Sequence, residues 1–502
     1  MSKIPQVVQE IAQKLETKGF EAFLVGGCVR DLLLGREPKD WDVATNALPE
    51  RVQEIFPDSV YENEFGTVAV KATASTNYET DTNIRKVNII EVTTYRKEGK
   101  YTDKRHPDTI KFAKTIEEDL ARRDFTINAI ALNPMPTGRQ AKPYTLNPKI
   151  IDPFDGRGDI DKKIIKAVGV AEERFNEDAL RLMRAVRLAA ELNFGIEKKT
   201  ADAIKKHASS LEVIAQERIR EEFTKLILAD KAADGIRMMA EAGLLKYVVP
   251  ELLEGIGVGQ NKHHIYEVFE HNVRALDYAA GKNYSLAVRL ASLLHDVGKP
   301  RTKAGAGPDS TFYNHEMVGA KMTAKILDRL RFSKKIVEQV THLVRWHLFY
   351  YNVGEVTEAG VRRFLRKVGP ENVPDLIKVR EADRIGSGVP KAVPYKLRHL
   401  LFMIDKVKQD PIDTRMLGID GNAVMKIAGL EPGPKVGQIM AVLLEEVLDD
   451  TKKNTEAHLT SRVKELNEMS ASQLKKLAEK ARARKEEFEG GIEEKIKQKH
   501  HV

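Results

Sequence analysis

The sequence predicts an α+β amino-terminal domain built on a small sheet, followed by all-helical domains to the end of the chain. Three observations carry this expectation. Runs rich in β-formers, Glu21–Val25, Trp41–Ala44, Thr67–Val70, Val87–Tyr95 and Ile127–Leu132, alternate with helical stretches only up to about residue 160. From about residue 166 apolar residues recur at three- and four-residue spacing, punctuated by turn signals such as Gly243 and Pro250. A chain of 502 residues also exceeds what one hydrophobic core ordinarily organises.

The composition, 42% hydrophobic and 31% charged, is that of a folded chain and excludes a disordered or fibrous one. No apolar run approaches the roughly 18 residues of a membrane span, and the amino-terminal stretch lacks the apolar core of a signal peptide. A cytoplasmic protein with no membrane partner is therefore expected. Cys28 is the only cysteine, which rules out an internal disulfide and a thiolate zinc cluster. The net charge of +8 points to a polyanionic partner, because Lys and Arg supply most non-specific affinity for nucleic acid. No segment signals an obligatory protein partner. Lys71–Lys86 and Asn133–Pro148 read as hairpin loops, and Lys475–Val502 as a solvated helix with a frayed end.

Within the α+β part, LVGGCVRDLLLG runs from a strand into Gly26–Gly27 and a helix beginning near Val29. Paired glycines at such a turn let backbone N–H groups approach a phosphate, and the helix start adds partial positive charge. Arg30 stands ready to hold a triphosphate. In KDWDVAT, a strand would set Asp40 and Asp42 on one face with Trp41 on the other. Two adjacent carboxylates repel unless cations bind them, and they suit a Mg²⁺ pair that activates a hydroxyl and steadies a triphosphate. Glu91, in NIIEVTTYR, offers a third carboxylate on a neighbouring strand.

These blocks, with EEDLARRDFTINAIA (117–131), RFNEDALRLMRAVRL (174–188) and AQERIREEFTKLIL (215–228), resemble in order the class II tRNA nucleotidyltransferase and bacterial poly(A) polymerase family. The resemblance implies a polymerase β-like head at residues 1–160 and a helical neck at 161–232. It makes Asp40 and Asp42 Mg²⁺ ligands and, with Glu91, the catalytic carboxylates. Gly26, Gly27 and Arg30 would bind the triphosphate, while Arg122, Arg123, Asp124 and Asn128 would position the nucleotide and its ribose. Arg184 and Arg187 join the nucleotide-binding set. Asp178 and Arg181, three apart on a predicted helix and so on one face, would act as a protein template. Cytosine and adenine each present an exocyclic amine beside an unprotonated ring nitrogen, so a carboxylate and a guanidinium read both. CTP and ATP follow as substrates, and tRNA as the partner. Asn63–Ala72 looks like the tRNA-repair branch, and the loop Arg96–Phe112 resembles the intact flexible loop of enzymes that add complete CCA ends, with His106 departing from a commoner Arg.

Further along, His271, His295–Asp296, His315, His347 and Asp383 form an ordered series resembling the HD phosphohydrolase superfamily. That implies a divalent metal of unstated identity, held by side chains from separate helices of one bundle, with Lys299 toward a substrate phosphate. The expected organisation continues with a body segment at 233–260, the HD domain at 261–400 and a tRNA-binding helical tail at 401–502, in which 416–448 resembles the family's carboxy-terminal part. The competing functions are poly(A) synthesis, partial addition of the CCA end, a chain that is primarily an HD phosphohydrolase, and a non-catalytic RNA-binding scaffold.

Overall fold

A seven-stranded sheet organises the amino-terminal region of the computed structural model, which describes residues 4–63, 66–72, 88–99, 109–134, 149–261, 265–408, 414 and 417–502. Helix α1 (Gln6–Thr17) leads into β1 (Ala22–Val25), whose four residues are all buried and hence all apolar. There follow α2 (Gly27–Leu33), β2 (Asp42–Thr45), α3 (Pro49–Ile55), β3 (Ser59–Asn63), β4 (Thr67–Ala72) and β5 (Asn88–Thr94). A separate hairpin, β6 (Arg96–Glu98) and β7 (Ile110–Phe112), precedes α4 (Ile116–Ala121), β8 (Ala131–Leu132), β9 (Ile150–Ile151) and α5 (Gly156–Asp161). The sheet order is β3-β4-β5-β2-β1-β8-β9, and β2 with β5 forms its parallel pair.

The α+β head stands, with local corrections. Ile127–Leu132 is not one strand: Thr126–Asn128 is a turn of 3-10 helix and only Ala131–Leu132 pairs. Asp124 drives this, since its carboxylate accepts from Phe125 N at 2.9 Å and Asn128 Nδ2 at 3.4 Å, holding the chain in a turn. Strand β2 begins at Asp42, so Asp40 lies in the bend before it and not on the strand. Of the predicted loops, residues 73–86 and 135–148 lie outside the described residues, as do 64–65, 100–108 with His106, and 416.

After a short parallel pair, β10 (Ile164–Ile165) with β11 (Gly195–Ile196), the first unit is helical. It runs through α6 (Ala171–Glu177), α7 (Leu180–Leu192), α8 (Lys198–His207), α9 (Gln216–Leu228), α10 (Ala232–Glu241), α11 (Leu245–Val248) and α12 (Pro250–Leu253). Then come α13 (Val268–Gly281), α14 (Leu286–Leu294), α15 (Lys299–Thr302), α16 (His315–Arg329) and α17 (Lys334–Trp346). The chain passes through α18 (Glu358–Val368) and returns with α19 (Val373–Gly386). Residues 1–348 and 375–390 form this unit, whereas 349–374 and 391–502 form a second one.

Of the segment 261–400 proposed from the sequence as the HD domain, 349–374 and 391–400 pack in the second unit. Helix α18 buries Val361, Leu365 and Val368 and packs on α20 (Tyr395–Lys408), which in turn packs on the terminal helix. The second unit continues with α21 (Gly421–Ala428), α22 (Pro434–Asp449), α23 (Glu456–Glu468) and α24 (Ala471–His500), around a core that includes Val424, Ile439, Leu443, Leu459 and Leu474. A capping box, Ser470 with Gln473, starts α24. Its end is not frayed: Lys499 and His500 reach Asp405 of α20 at 2.7 and 2.9 Å. No described helix is long and apolar enough to cross a membrane.

Candidate active sites

Gly26 occupies the tight turn from β1 into α2 with φ +79°, a conformation that favours glycine. A Cβ there would meet Arg123 Nη1 at 3.1 Å and Asp42 Oδ2 at 3.2 Å, so the turn, the carboxylate and the guanidinium share one corner. Across the parallel pair Asp42 stands in register with Glu91, which puts both on one face of the sheet. Burial raises the Asp42 carboxyl and Asp40 raises it further, against the pull of Arg123. Repulsion of this kind is what a bound cation relieves, and a set of carboxylate oxygens fits a hard divalent ion. Asp40, Asp42, Gly27, Arg30 and Arg187 line one cavity of about 550 Å³ between the head and the ends of α7 and α9.

The cationic residues around it are held by partners. Arg30 donates to Asn128 Oδ1 at 2.8 Å and pairs with Asp31 at 2.8 Å. Arg122 and Arg123 both lean on Asp119, at 2.8 and 3.3 Å. Arg184 joins Asp124 at 2.7 Å, and Arg187 bridges Glu222 and Glu191 at 2.6 and 2.5 Å. Thr94 is spent on structure, its hydroxyl donating to Ala47 O at 2.7 Å.

The expected helix face carrying Asp178 and Arg181 is corrected. Asp178 ends α6 with extended backbone, φ −138° and ψ 107°, and its carboxylate accepts from Leu180 N at 3.0 Å to start α7. The two residues thus flank a helix break. Arg218 clamps Asp178 through two bonds of 2.7 and 3.3 Å, and Arg181 reaches Glu177 at 2.5 Å and the carbonyl of Arg122 at 3.4 Å. Asp119, Arg218 and Glu222 were missed from the sequence. The last two are four apart on amphipathic α9, a charged pair on one face that was available as a signal.

In the helical bundle, five elements converge. His271 lies on α13, His295 and Asp296 follow α14, His315 opens α16, His347 closes α17, and Asp383 lies on α19. All six are buried. His271 Nε2 is 2.8 Å from His295 Nε2, 3.0 Å from Asp296 Oδ2 and 3.4 Å from Asp383 Oδ1. The other oxygen of Asp296 faces His315 Nε2 at 3.3 Å and His347 Nε2 at 3.6 Å. Two potential metal-ligand groups thus share Asp296.

Local backbone prepares them. His295, His315 and His347 each set Nδ1 against the carbonyl three residues earlier, at 2.8, 2.7 and 2.7 Å, which leaves Nε2 as the ligand atom. Gly298 permits the turn after Asp296 to approach α16, since a Cβ would lie 2.4 Å from His315 O. Burial alone would raise Asp296, but Lys299 and His295 outweigh it and hold the carboxyl well below its usual range. Lys299 Nζ is 2.6 Å from Asp296 Oδ2 and donates to Gln260 Oε1 at 2.6 Å. A cavity of about 620 Å³ opens over this cluster, with Arg380, one turn before Asp383, and Arg384, next to it in the chain, adding cationic lining that sequence reasoning did not single out. His263 and His264 lie outside the described residues.

Comparison with known proteins follows the same division. Residues 22–166 match the Poly A polymerase head domain, 193–255 the probable RNA and SrmB-binding site of polymerase A, and 268–387 the HD domain. A CCA-adding enzyme of Lactobacillus delbrueckii subsp. bulgaricus is 34% identical over 452 residues, 89% of this chain and 94% of the relative. The chain belongs to the CCA-adding enzyme family. It is a nucleotidyltransferase, the class in which the polymerase head also puts it. A CCA-adding enzyme of Lactiplantibacillus plantarum is 42% identical over 244 residues, 48% of this chain and 54% of the relative. The structure of Bacillus stearothermophilus CCA-adding enzyme in complex with CTP covers 92% of this chain and 97% of its own, at 28% identity and a TM-score of 0.58. Nucleotidyltransferase and HD families use divalent metals, in keeping with the two carboxylate-bearing sites described here.

Proposed function

We propose that this member of the CCA-adding enzyme family adds C, C and A in turn to the 3′ end of tRNA from CTP and ATP, without a nucleic-acid template. One observation carries the catalytic reading: Asp42, in register with Glu91, meets Arg123 at the Gly26 turn. The tRNA 3′-oxygen attacks the α-phosphorus, the bond to the bridging oxygen breaks, and pyrophosphate leaves. Asp40 and Asp42 would hold Mg²⁺, whose chemistry when bound is to lower the charge of the triphosphate and acidify the attacking hydroxyl. Glu91 serves as an auxiliary carboxylate. Gly26, Gly27 and Arg30 take the triphosphate, and Arg122, Arg123, Asp124, Asn128, Arg184 and Arg187 orient the nucleotide directly or by holding one another. The domain limits proposed from the sequence, a head at 1–160 and a neck at 161–232, enclose these residues.

Asp178 accepts from the exocyclic amine of C or A, and Arg181 donates to the neighbouring ring nitrogen. Guanine and uracil offer a carbonyl and an N–H instead, leaving both charged groups wrongly paired. The clamp from Arg218 supports the reading, because it fixes the carboxylate that does the selecting. A second activity is favoured by the two ligand groups sharing Asp296: a metal-dependent phosphohydrolase at the HD site, where His271, His295, Asp296, His315, His347 and Asp383 would hold a divalent metal that polarises a phosphate ester.

The decisive assay supplies tRNAs ending at the discriminator base, at C and at CC with single NTPs or with CTP plus ATP. Growth that stops at CCA is expected; long A tails or a stop at CC would sink the assignment. Asp42→Ala should remove incorporation, by a factor of about 10³ or more. Exchanging the charges, Asp178→Arg with Arg181→Asp, should move preference toward UTP and GTP, and unaltered C and A selection would refute the template role.

A further inference from the structure

The second unit carries a cationic stripe that nothing in the catalytic reading uses. Helix α18 places Arg362, Arg363, Arg366 and Lys367 on its exposed side. The i, i+4 pairs Arg362/Arg366 and Arg363/Lys367 stand about 6 Å apart along the axis. Val361, Leu365 and Val368, on the opposite side, are 1%, 7% and 1% exposed, so the helix is anchored and its orientation settled. Thr357 caps its start and Gly369, at φ +82°, ends it. Like charges at this spacing oppose helix formation, and only the last turn gains from its dipole. Arg362 is balanced by Glu358 at 3.0 Å, whereas no described carboxylate pairs with Arg363, Arg366 or Lys367.

Packing extends the stripe. Lys406 reaches Glu358 at 3.5 Å, so the end of α20 meets the start of α18, and the basic end of α18 runs toward the start of α20. That start presents exposed Lys396 and half-exposed Tyr395, with the Arg398 guanidinium 5.9 Å from the Tyr395 ring centroid. A lipid surface would need exposed apolar residues to insert between the cations, and those of α18 face inward. A row of cations about one phosphate step apart instead complements the backbone of a nucleic-acid strand.

We propose that the α18 stripe, Arg363, Arg366 and Lys367 extended by Lys396 and Arg398, is an RNA-backbone contact that holds substrate tRNA by charge and not by sequence. The surface rests on the reading of this chain as an enzyme acting on tRNA, and adds residues before position 400 to the tail expected to bind tRNA. Full-length Arg363→Gln/Arg366→Gln/Lys367→Gln and wild type would be titrated with tRNA from low to high salt, and CCA addition measured in parallel. Three lost phosphate contacts should flatten the slope of log K against log salt by about 2 and raise the KM for tRNA by roughly tenfold, with kcat and the KM for CTP unchanged. A double Arg363→Lys/Arg366→Lys variant should keep the wild-type slope. Equal slopes for wild type and the triple variant overturn the proposal, as does a loss of affinity with no change in slope. So does loss of binding to phosphatidylserine vesicles with tRNA affinity intact. Failure of the wild type to extend any tRNA refutes the enzymatic reading instead, and leaves the RNA titration to judge the surface.

Discussion

Asp124 shows how one side chain ties the site to stability. It is 9% exposed, and burial would raise its carboxyl, yet Arg184 and then Arg181 outweigh that and bring it down to about 2. A folded pKa below the unfolded value of 3.8 means the stabilisation is complete above 3.8 and is lost as pH falls toward 2. Its size at neutral pH is on the order of 2 kcal/mol. Asp124→Asn should therefore lower the denaturant midpoint at pH 7, with the gap to wild type narrowing as the pH falls below 4. A gap that does not change with pH would exclude the ion pair as its source. The motif DFTIN marked Asp124 in the sequence, but its partner Arg184 lies 60 residues away and no local rule links them.

At the scale of elements, α9 is the connector. Its first turns carry Arg218 and Glu222, which brace Asp178 and Arg187, and its end meets α14 of the HD bundle through Arg289. Arg289 is 1% exposed and donates to the carbonyls of Ile227 and Ala229 at 3.1 Å each, of Tyr284 at 3.0 Å, and to Asn283 Oδ1 at 3.0 Å. One guanidinium thus answers unsatisfied carbonyls at the end of α9 and in the turn after α13, where helix ends carry negative charge. Arg289→Met keeps the apolar stem and strands those oxygens. We expect a stability loss on the order of 3 kcal/mol in urea unfolding, and a neutral result would refute the capping role. Apolar spacing in LAVRLASLL suits a buried helix, but the carbonyls that Arg289 serves come from other elements, so nothing local in the sequence marks its role.

Across the whole molecule, the head carboxylates and the HD cluster are separate groups of residues, with none in common. Asp296→Ala should abolish metal-dependent phosphohydrolysis and weaken divalent-metal binding measured calorimetrically, while CCA addition proceeds at the wild-type rate. Asp42→Ala should do the reverse. A loss of both activities in either variant would mean that the sites work as one.

Periodicity, by itself, determined the α+β head and the helical remainder, because each depends on local spacing along the chain, and the resemblance of ordered motifs singled out Asp42, Glu91 and the six His and Asp residues as candidates. Tertiary structure alone decided that Asp178 and Arg181 flank a break, that Asp40 precedes its strand, that residues 349–374 and 391–400 pack with the tail, and that Asp296 is shared by two groups. Those outcomes turn on which distant charges and apolar faces meet. Arg218 reaches Asp178 across 40 residues and α18 finds its cover in α20, and energies of that kind are settled by packing and not by sequence spacing.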